Sequence, residues 1–194
     1  MGLLYINIRL IMTIERYLTE TKLPEGYIDL YIRSFPDEER RDWKTNEDAE
    51  RFISSHPEMR VILAFSPEGE FVGLLNYWLL TDSGDESQEV FYGEHLAIKP
   101  EMRNQGIGAK IISELKRLTS DRILMEVELP EDEMARRRIA MYERHGFVTH
   151  PDIKYLQPSY APGKEPIELM LMSSPCVHPT QALIARLKRL VYNA

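Results

Sequence analysis

From Leu96 to Gly108 the chain reads LAIKPEMRNQGIG, and these residue types at this spacing suit the holding of a phosphate. An apolar strand stops at Pro100, and a short turn carrying Arg103 opens a helix through Gly106 and Gly108. The first N–H groups of a helix have no internal partner, and the helix dipole favours an anion beside them. Glycines allow that anion to reach the main chain without meeting a side chain. Arg103 can add a charge-assisted contact. Two other phosphate motifs fail on spacing. A P-loop needs Gly-Lys-Ser/Thr, but Gly108 is followed by Ala109-Lys110-Ile111. A dinucleotide fingerprint needs a third glycine where Ile111 stands. Without a ligand, the same residues would make a plain helix start with flexible glycines.

The elements that must position this turn follow from periodicity. A short strand is expected over residues 13–18, a helix over Leu23–Ser34 and a second helix over Asp37–Ser55, with Trp43, Ala49, Phe52 and Ile53 at spaced positions. Arg60–Ser66 and Glu70–Leu80 read as strands joined by the turn residues Pro67-Glu68-Gly69, hence a hairpin. Thr81–Glu89 reads as a loop and Val90–Lys99 as a strand. Gly106–Leu118 reads as a helix with Ile107, Ile111, Leu115 and Leu118 on one face. Arg122–Leu129 is a strand and Glu131–His145 a helix with acidic residues at its positive end and Gly146 just past its last turn. Ile167–Met172 closes the strand series. Pro179–Tyr192 is an amphipathic helix striped by Leu183, Leu187, Leu190 and Val191. Interleaved helices and strands describe a mixed sheet covered by helices.

Composition bounds the partners. At 194 residues and 43% hydrophobic, one compact domain over 1–194 is expected. One cysteine, Cys176, excludes an internal disulfide, and the five histidines show no ligand spacing, so no metal is expected. Lys and Arg number 24 against 31 Asp and Glu, a net charge of −7 that disfavours nucleic acid and weakly suits a cationic substrate. No uncharged apolar run reaches the roughly 18 residues of a membrane span. Met1–Met12 is apolar but broken by Asn7 and Arg9, and reads as a first strand or an upstream extension with Met12 as an alternative start. A secretory signal is less expected, and a cytoplasmic protein is the expectation.

The segment Arg103-x-x-Gly106-x-Gly108 resembles the coenzyme A pyrophosphate loop of GNAT N-acyltransferases. Glu94-His95-Leu96-Ala97-Ile98 is similar to that family's fourth strand, and Met141-Tyr142-Glu143-Arg144-His145-Gly146-Phe147 resembles a later helix ending. The three come in family order, and the resemblance spans about residues 13–173, leaving 174–194 as a C-terminal helical extension. Glu126-Val127-Glu128 with Arg137-Arg138-Ile139 looks like a bacterial subgroup of uncharacterised members. One departure is that the family's frequent Asn and small residue ahead of the tyrosine are here Ala135 and Arg138.

The resemblance implies an α+β, three-layer α/β/α-like fold. Its central sheet would be mixed but mostly antiparallel, and its fourth and fifth strands would splay apart. Acetyl-CoA would be the co-substrate, with no metal. Its pantetheine would pair with Leu96, Ala97 and Ile98 as an added strand does. Its pyrophosphate would rest on Arg103, Asn104, Gln105, Gly106, Ile107, Gly108 and Ala109. With that departure a hydrogen bond to pantetheine would be either lost or supplied by Arg137 or Arg138, and Arg136-Arg137-Arg138 could meet a 3′-phosphate or simply be exposed.

The implied reaction is attack of a neutral amine on a thioester. Tyr142 would be the general acid, against a reading as a core tyrosine sharing a face with Ala135 and Ile139. Glu94 would be the base, directly or through water, against a solvated strand carboxylate. His95 would point to the opposite face by strand alternation unless a bulge intervenes. Glu126 and Glu128 share a face, and either bind a cationic acceptor or are solvated. A main-chain N–H near Leu96 or Ala97 would hold the oxyanion.

Tyr31, Phe35, Trp43, Tyr155, Gln157 and Tyr160 could line the acceptor cleft or pack ordinarily, and Asp37–Asp42 reads as a solvated helix face. The terminal helix would pack on its own domain or on a second subunit, making a homodimer, rather than on a membrane. A non-catalytic acyl-CoA sensor on the same scaffold and an interaction protein with no cofactor are the competing readings. The amine's identity is left open.

Overall fold

The computed structural model describes residues 12–16, 22–80 and 89–194. Most of the Met1–Met12 segment and of the Thr81–Glu89 loop therefore lies outside the described residues. Strand β1 is Thr13–Arg16, and helix α1 is Tyr27–Ser34. The expected start at Leu23 fails because Gly26 takes a left-handed turn, φ 82°, before α1. A turn of 3-10 helix at Asp37–Glu39 and helix α2 at Asn46–Ser55 replace the single helix expected over Asp37–Ser55. Thr45 sets the α2 boundary: its hydroxyl accepts from the Asp48 N–H while the Asp48 carboxylate accepts from the Thr45 N–H.

Strands β2 (Met59–Phe65) and β3 (Phe71–Leu79) form the expected hairpin, closed by the Ser66 N–H on the Glu70 carbonyl at 2.8 Å. Then follow β4 (Phe91–Ile98), α3 (Ile107–Leu118), β5 (Ile123–Val127) and α4 (Glu133–Arg144). Two strands too short for a periodic pattern come next, β6 (Val148–Thr149) and β7 (Tyr155–Gln157). Strand β8 (Ile167–Ser173) and helix α5 (Gln181–Tyr192) end the chain.

The eight strands form one sheet in the order β1-β2-β3-β4-β5-β8-β6, with β7 also on β8. Only β4 and β5 run parallel; the other pairs are antiparallel. Alternate strand residues feed the two faces. Val61, Leu63, Leu74 and Trp78 pack with α1, α2 and α5 on one side. Ile62, Leu75, Tyr77 and Phe91 pack with α3 and α4 on the other. The fold is therefore α+β in three layers, as the sequence implied.

Helix α5 packs on its own chain. Thr180 caps its first turn by accepting from the Leu183 N–H. Its buried stripe is Ile184, Leu187, Val191 and Tyr192, with the expected Leu183 and Leu190 only partly covered. Each buried aliphatic of this kind contributes about 1.5–3 kcal/mol. Among the described residues no helix is long and apolar enough to cross a membrane.

The close approach of β3, β4 and α3 depends on Gly73. A Cβ there would stand 2.7 Å from Ile98 Cδ1 and 3.0 Å from the Ala97 carbonyl oxygen. Gly73→Val should lower the urea unfolding free energy by about 1–3 kcal/mol through overpacking. An unchanged unfolding midpoint would contradict this register.

Candidate active site

The parallel pairing of β4 and β5 covers only Phe91–Gly93 against Ile123–Met125. Beyond it β5 stays on β8 and β4 stays on β3, so a gap opens between them. Main-chain groups alternate between the two edges of a strand. The Lys99 N–H donates to Val72 on β3, which turns Ala97 toward β3 and leaves the N–H groups of Leu96 and Ile98 facing the gap. A cleft of about 820 Å³ occupies this gap, within the range of small-molecule sites. Leu96, Ile98, Arg103, Gly108, Glu126 and Tyr142 are among its walls.

At one end lies the glycine turn. Gly106 is left-handed with φ 76°, as is Asn104 at 62°, and Arg103–Gly106 are exposed. No side chain caps the start of α3, so its first N–H groups are offered outward. A Cβ built at Gly108 meets nothing within 4 Å, so packing does not demand glycine there and open space lies above the amides. Arg103 is braced by Nε donating to the Ile98 carbonyl at 3.1 Å. An anion-sized seat flanked by an unpaired strand edge fits a diphosphate followed by an extended, amide-bearing arm.

Residues 24–147 match the model of the acetyltransferase (GNAT) family. The chain belongs to the GNAT family. A solved structure assigned to the GNAT family from Bacteroides thetaiotaomicron is 30% identical, with a TM-score of 0.72, covering 86% of this chain and 90% of that one. A GNAT-family acetyltransferase of Streptococcus pneumoniae is 15% identical with a TM-score of 0.57, over 84% of this chain and 98% of its own. The ribosomal-protein-alanine N-acetyltransferase of Brucella melitensis is 15% identical with a TM-score of 0.58, over 82% and 97%. These last two share the fold. No curated protein matched the sequence. GNAT membership implies acyl transfer from acyl-CoA.

On the α4 wall, Tyr142 is buried to 8% exposure but lines the cleft, and Phe147 packs edge-on against its ring at 6.0 Å. Burial pushes its phenol up to about 12, so it remains a proton carrier at neutral pH. Arg138, one turn earlier, pairs with Glu128 on the facing segment at 3.0 Å. Arg136 and Arg137 are used within their own neighbourhood: Arg136 bonds the Pro130 and Glu131 carbonyls and Arg137 pairs with Glu133.

Strand β4 carries a bulge between the pairs Asn76–His95 and Tyr77–Gly93, leaving Glu94 as the extra residue. The bulge cancels the expected alternation. Both Glu94 and His95 face the α1, α2 and α5 side, with His95 Nδ1 3.4 Å from Glu94 Oε2. His95 Nε2 meets the Glu39 carbonyl oxygen at 2.8 Å. Glu94 is not solvated: its side chain is wholly buried. It accepts from Arg41 Nη1 at 2.5 Å, Trp78 Nε1 at 2.9 Å and the Tyr160 hydroxyl at 3.0 Å. Burial opposes its ionisation, but Arg41, His95 and Trp78 prevail and hold the carboxyl well below the usual carboxylate range. A carboxylate so committed is a poor proton acceptor near neutrality.

Glu126, near the end of β5, lines the cleft as Glu94 does, but its partners differ. Its Oε2 accepts from Tyr92 at 2.9 Å and Tyr192 at 2.8 Å, and its Oε1 from Tyr155. Burial and the charge of Glu94 push its carboxyl up to about 7 against the pull of these three hydrogen bonds. Among the described residues it forms no ion pair. The two carboxylates expected to share a face have separate partners: Glu126 meets tyrosines of the α5 side, while Glu128, past the end of β5, pairs with Arg138 on α4.

Other expected residues are divided. Phe35, Gln157 and Tyr160 line the cleft, and the Gln157 Nε2 is buried without a partner. Tyr31 and Trp43 are core, and Tyr155 holds Glu126. Sequence reading missed Arg41, Tyr92, Trp78 and Tyr192. Arg41 was expected on a solvated face but is 5% exposed, enclosed by Phe52 and Tyr160, each 4.8 Å from its guanidinium, and by Trp78 at 5.2 Å. A carboxylate inside an apolar strand was the available signal, since burial obliges it to find a cation.

The fold holds the Glu126 proton more tightly than the unfolded chain, whose value is near ~4.3. Its contribution to stability is therefore full below that value and lost as pH rises through about 7. Urea unfolding between pH 5 and 8 should show a decline of roughly 1–3 kcal/mol that Glu126→Gln removes. Parallel profiles for the two proteins would refute this environment for Glu126.

Proposed function

We propose that this protein transfers an acetyl group from acetyl-CoA to a primary amine of a small molecule or peptide. The observation that carries the reading is a single cleft joining four parts. These are an uncapped glycine turn, an unpaired strand edge, a phenol from α4 and a carboxylate from β5 that is held by hydroxyls rather than by a cation. In this reading Asn104, Gln105, Gly106, Ile107, Gly108 and Ala109 offer main-chain groups to the diphosphate, with Arg103 beside them. Leu96, Ala97 and Ile98 form the strand that the extended arm joins. Arg138 swings from Glu128 to the co-substrate. The bound thioester supplies an activated carbonyl carbon.

An alkylamine is largely protonated at neutral pH, with a pKa near ~10.4 for a lysine-like amine. Glu126 takes that proton, directly or through water, because its own proton affinity is matched to the working pH. The free amine's lone pair forms the new C–N bond. The Leu96 N–H, which faces the gap, steadies the oxygen that gains charge. As the C–S bond breaks, Tyr142 donates its proton to the departing sulfur, and the extra proton on the newly acylated nitrogen leaves through water, restoring the Tyr142 phenol and a neutral amide. Glu94, the base the sequence suggested, instead anchors Arg41 and the cleft floor in this scheme.

Support comes from GNAT membership and from Tyr142 and Glu126 both lining this cleft. Coenzyme A should raise the melting temperature, since a ligand bound only by the folded state stabilises it. Gly108→Glu, with open space for its side chain, should keep the unliganded melting temperature and lose that rise. Across an amine panel read by released thiol, Tyr142→Phe and Glu126→Gln should each cut kcat about 10²-fold or more while keeping the coenzyme A shift. Full turnover in either variant would remove that residue from the mechanism, and the absence of any shift with millimolar coenzyme A would end the reading.

A further inference from the structure

Helix α5 lies outside the 24–147 segment that the family model matches, yet its last turn bonds Glu126, a residue that lines the cleft. The Tyr192 hydroxyl donates to Glu126 Oε2 at 2.8 Å and stands 3.0 Å from the Tyr92 hydroxyl. The Tyr160 hydroxyl donates to Glu94 at 3.0 Å and stands 3.4 Å from the Tyr192 hydroxyl, so a row of neighbouring phenols runs between the two carboxylates. Arg41 Nη2 donates to the Val191 carbonyl at 3.1 Å, which fixes the end of α5 against the same network.

We infer that Tyr192 is a positioning residue that sets the proton affinity of Glu126, making the C-terminal helix part of the catalytic centre. The inference rests on Glu126 as the base.

Proton bookkeeping supports it. Four elements face Glu126: β4 through Tyr92 and Glu94, β7 through Tyr155, the segment after β7 through Tyr160, and α5 through Tyr192, with Lys188 over the Tyr155 ring at 5.1 Å. Arg41 is spent on Glu94. Burial keeps Tyr92, Tyr155, Tyr160 and Tyr192 well above the usual phenol range, so all four remain donors. Three hydroxyl hydrogens directed at one carboxylate favour its ionised form. When Glu126 takes a proton on Oε2, one of those hydroxyls must turn away. Tyr192 and Tyr92 are close enough for one to donate to the other's oxygen instead, so the proton is accepted without stranding a donor. Tyr192 thus acts on both states: it stabilises the carboxylate and offers the alternative bond that the acid requires.

The test reads the carboxyl directly. With 13C-labelled glutamate side chains, the Glu126 resonance, assigned by its absence in Glu126→Gln, is followed against pH. In Tyr192→Phe the midpoint should move up by about one pH unit, because a bond to the charged form is lost. Replacing Tyr192 with difluorotyrosine strengthens the donor without changing its shape, and should move the midpoint down. A merely structural role would give neither the opposite signs nor the dependence on phenol acidity. Should Tyr192→Phe fail to fold, the difluorotyrosine protein decides alone. A midpoint within about 0.2 unit of the parent in the folded variants overturns the proposal. Failure of the base assignment is separate: Glu126→Gln would then keep parental turnover whatever Tyr192 does to the titration.

Discussion

Two parallel strands that share backbone hydrogen bonds over three residues and then part leave main-chain donors and acceptors with no protein partner. Buried groups of this kind are costly unless paired. Strand β4 survives the parting because β3 holds its other edge through Ile98, and β5 because β8 does the same. The gap between them is therefore stable as a gap. It presents an extended edge at Leu96 and Ile98, and the chain leaving that edge turns directly into the uncapped start of α3. Strand edge and helix start are neighbours in sequence, so the distance between them is set by a few residues of turn rather than by loop closure elsewhere. Under the proposed function, an extended ligand ending in a diphosphate would meet both.

The same parting decides how two carboxylates on adjacent strands acquire different chemistry. Glu94 sits on the bulge, turned toward the α1 and α2 layer, where Arg41 and Trp78 reach it. Removing either ion from such a buried pair would leave the other uncompensated, at a cost of about 3–5 kcal/mol, so the pair is committed to the fold. Glu126 sits where β5 leaves its parallel partner, and neutral hydroxyls supply its contacts. Hydroxyl donors stabilise an anion less than a guanidinium does, and the cleft withholds part of the bulk solvent. One carboxylate is thus fixed as a charge and the other is free to titrate.

Periodicity in the sequence was enough to place the hairpin, the α3 and α4 helices and the glycine turn to within one or two residues, because apolar spacing and turn residues act locally. The boundaries of the first two helices were not legible from spacing, since Gly26 and the Thr45–Asp48 capping box overrode it. Strands β6 and β7 are too short to carry a pattern and exist because β8 offers them an edge. The turn residues and Tyr142 could be named in advance as candidates. The surroundings of Glu94 and Glu126 could not, because each depends on partners distant in the chain: Arg41 lies 53 residues from Glu94, and Tyr192 lies 66 from Glu126. The bulge at Glu94 also reversed the face assigned to His95, and nothing in the alternation of β4 announces it.

Charge balance explains why the end of α5 belongs at this floor. Helix C-termini carry partial negative charge on carbonyls that lack intrahelical donors. Val191 presents such a carbonyl to Arg41, so the guanidinium is balanced by Glu94 and by a helix end together. That arrangement engages Arg41 fully, and among the described residues Glu126 forms no ion pair. Ionising Glu126 therefore adds one net negative charge to a poorly solvated floor, and protonating it restores neutrality. A helix end carrying a lysine or arginine at position 192 would have locked Glu126 as it locks Glu94. A tyrosine there gives directional stabilisation without a charge, which keeps the proton exchangeable.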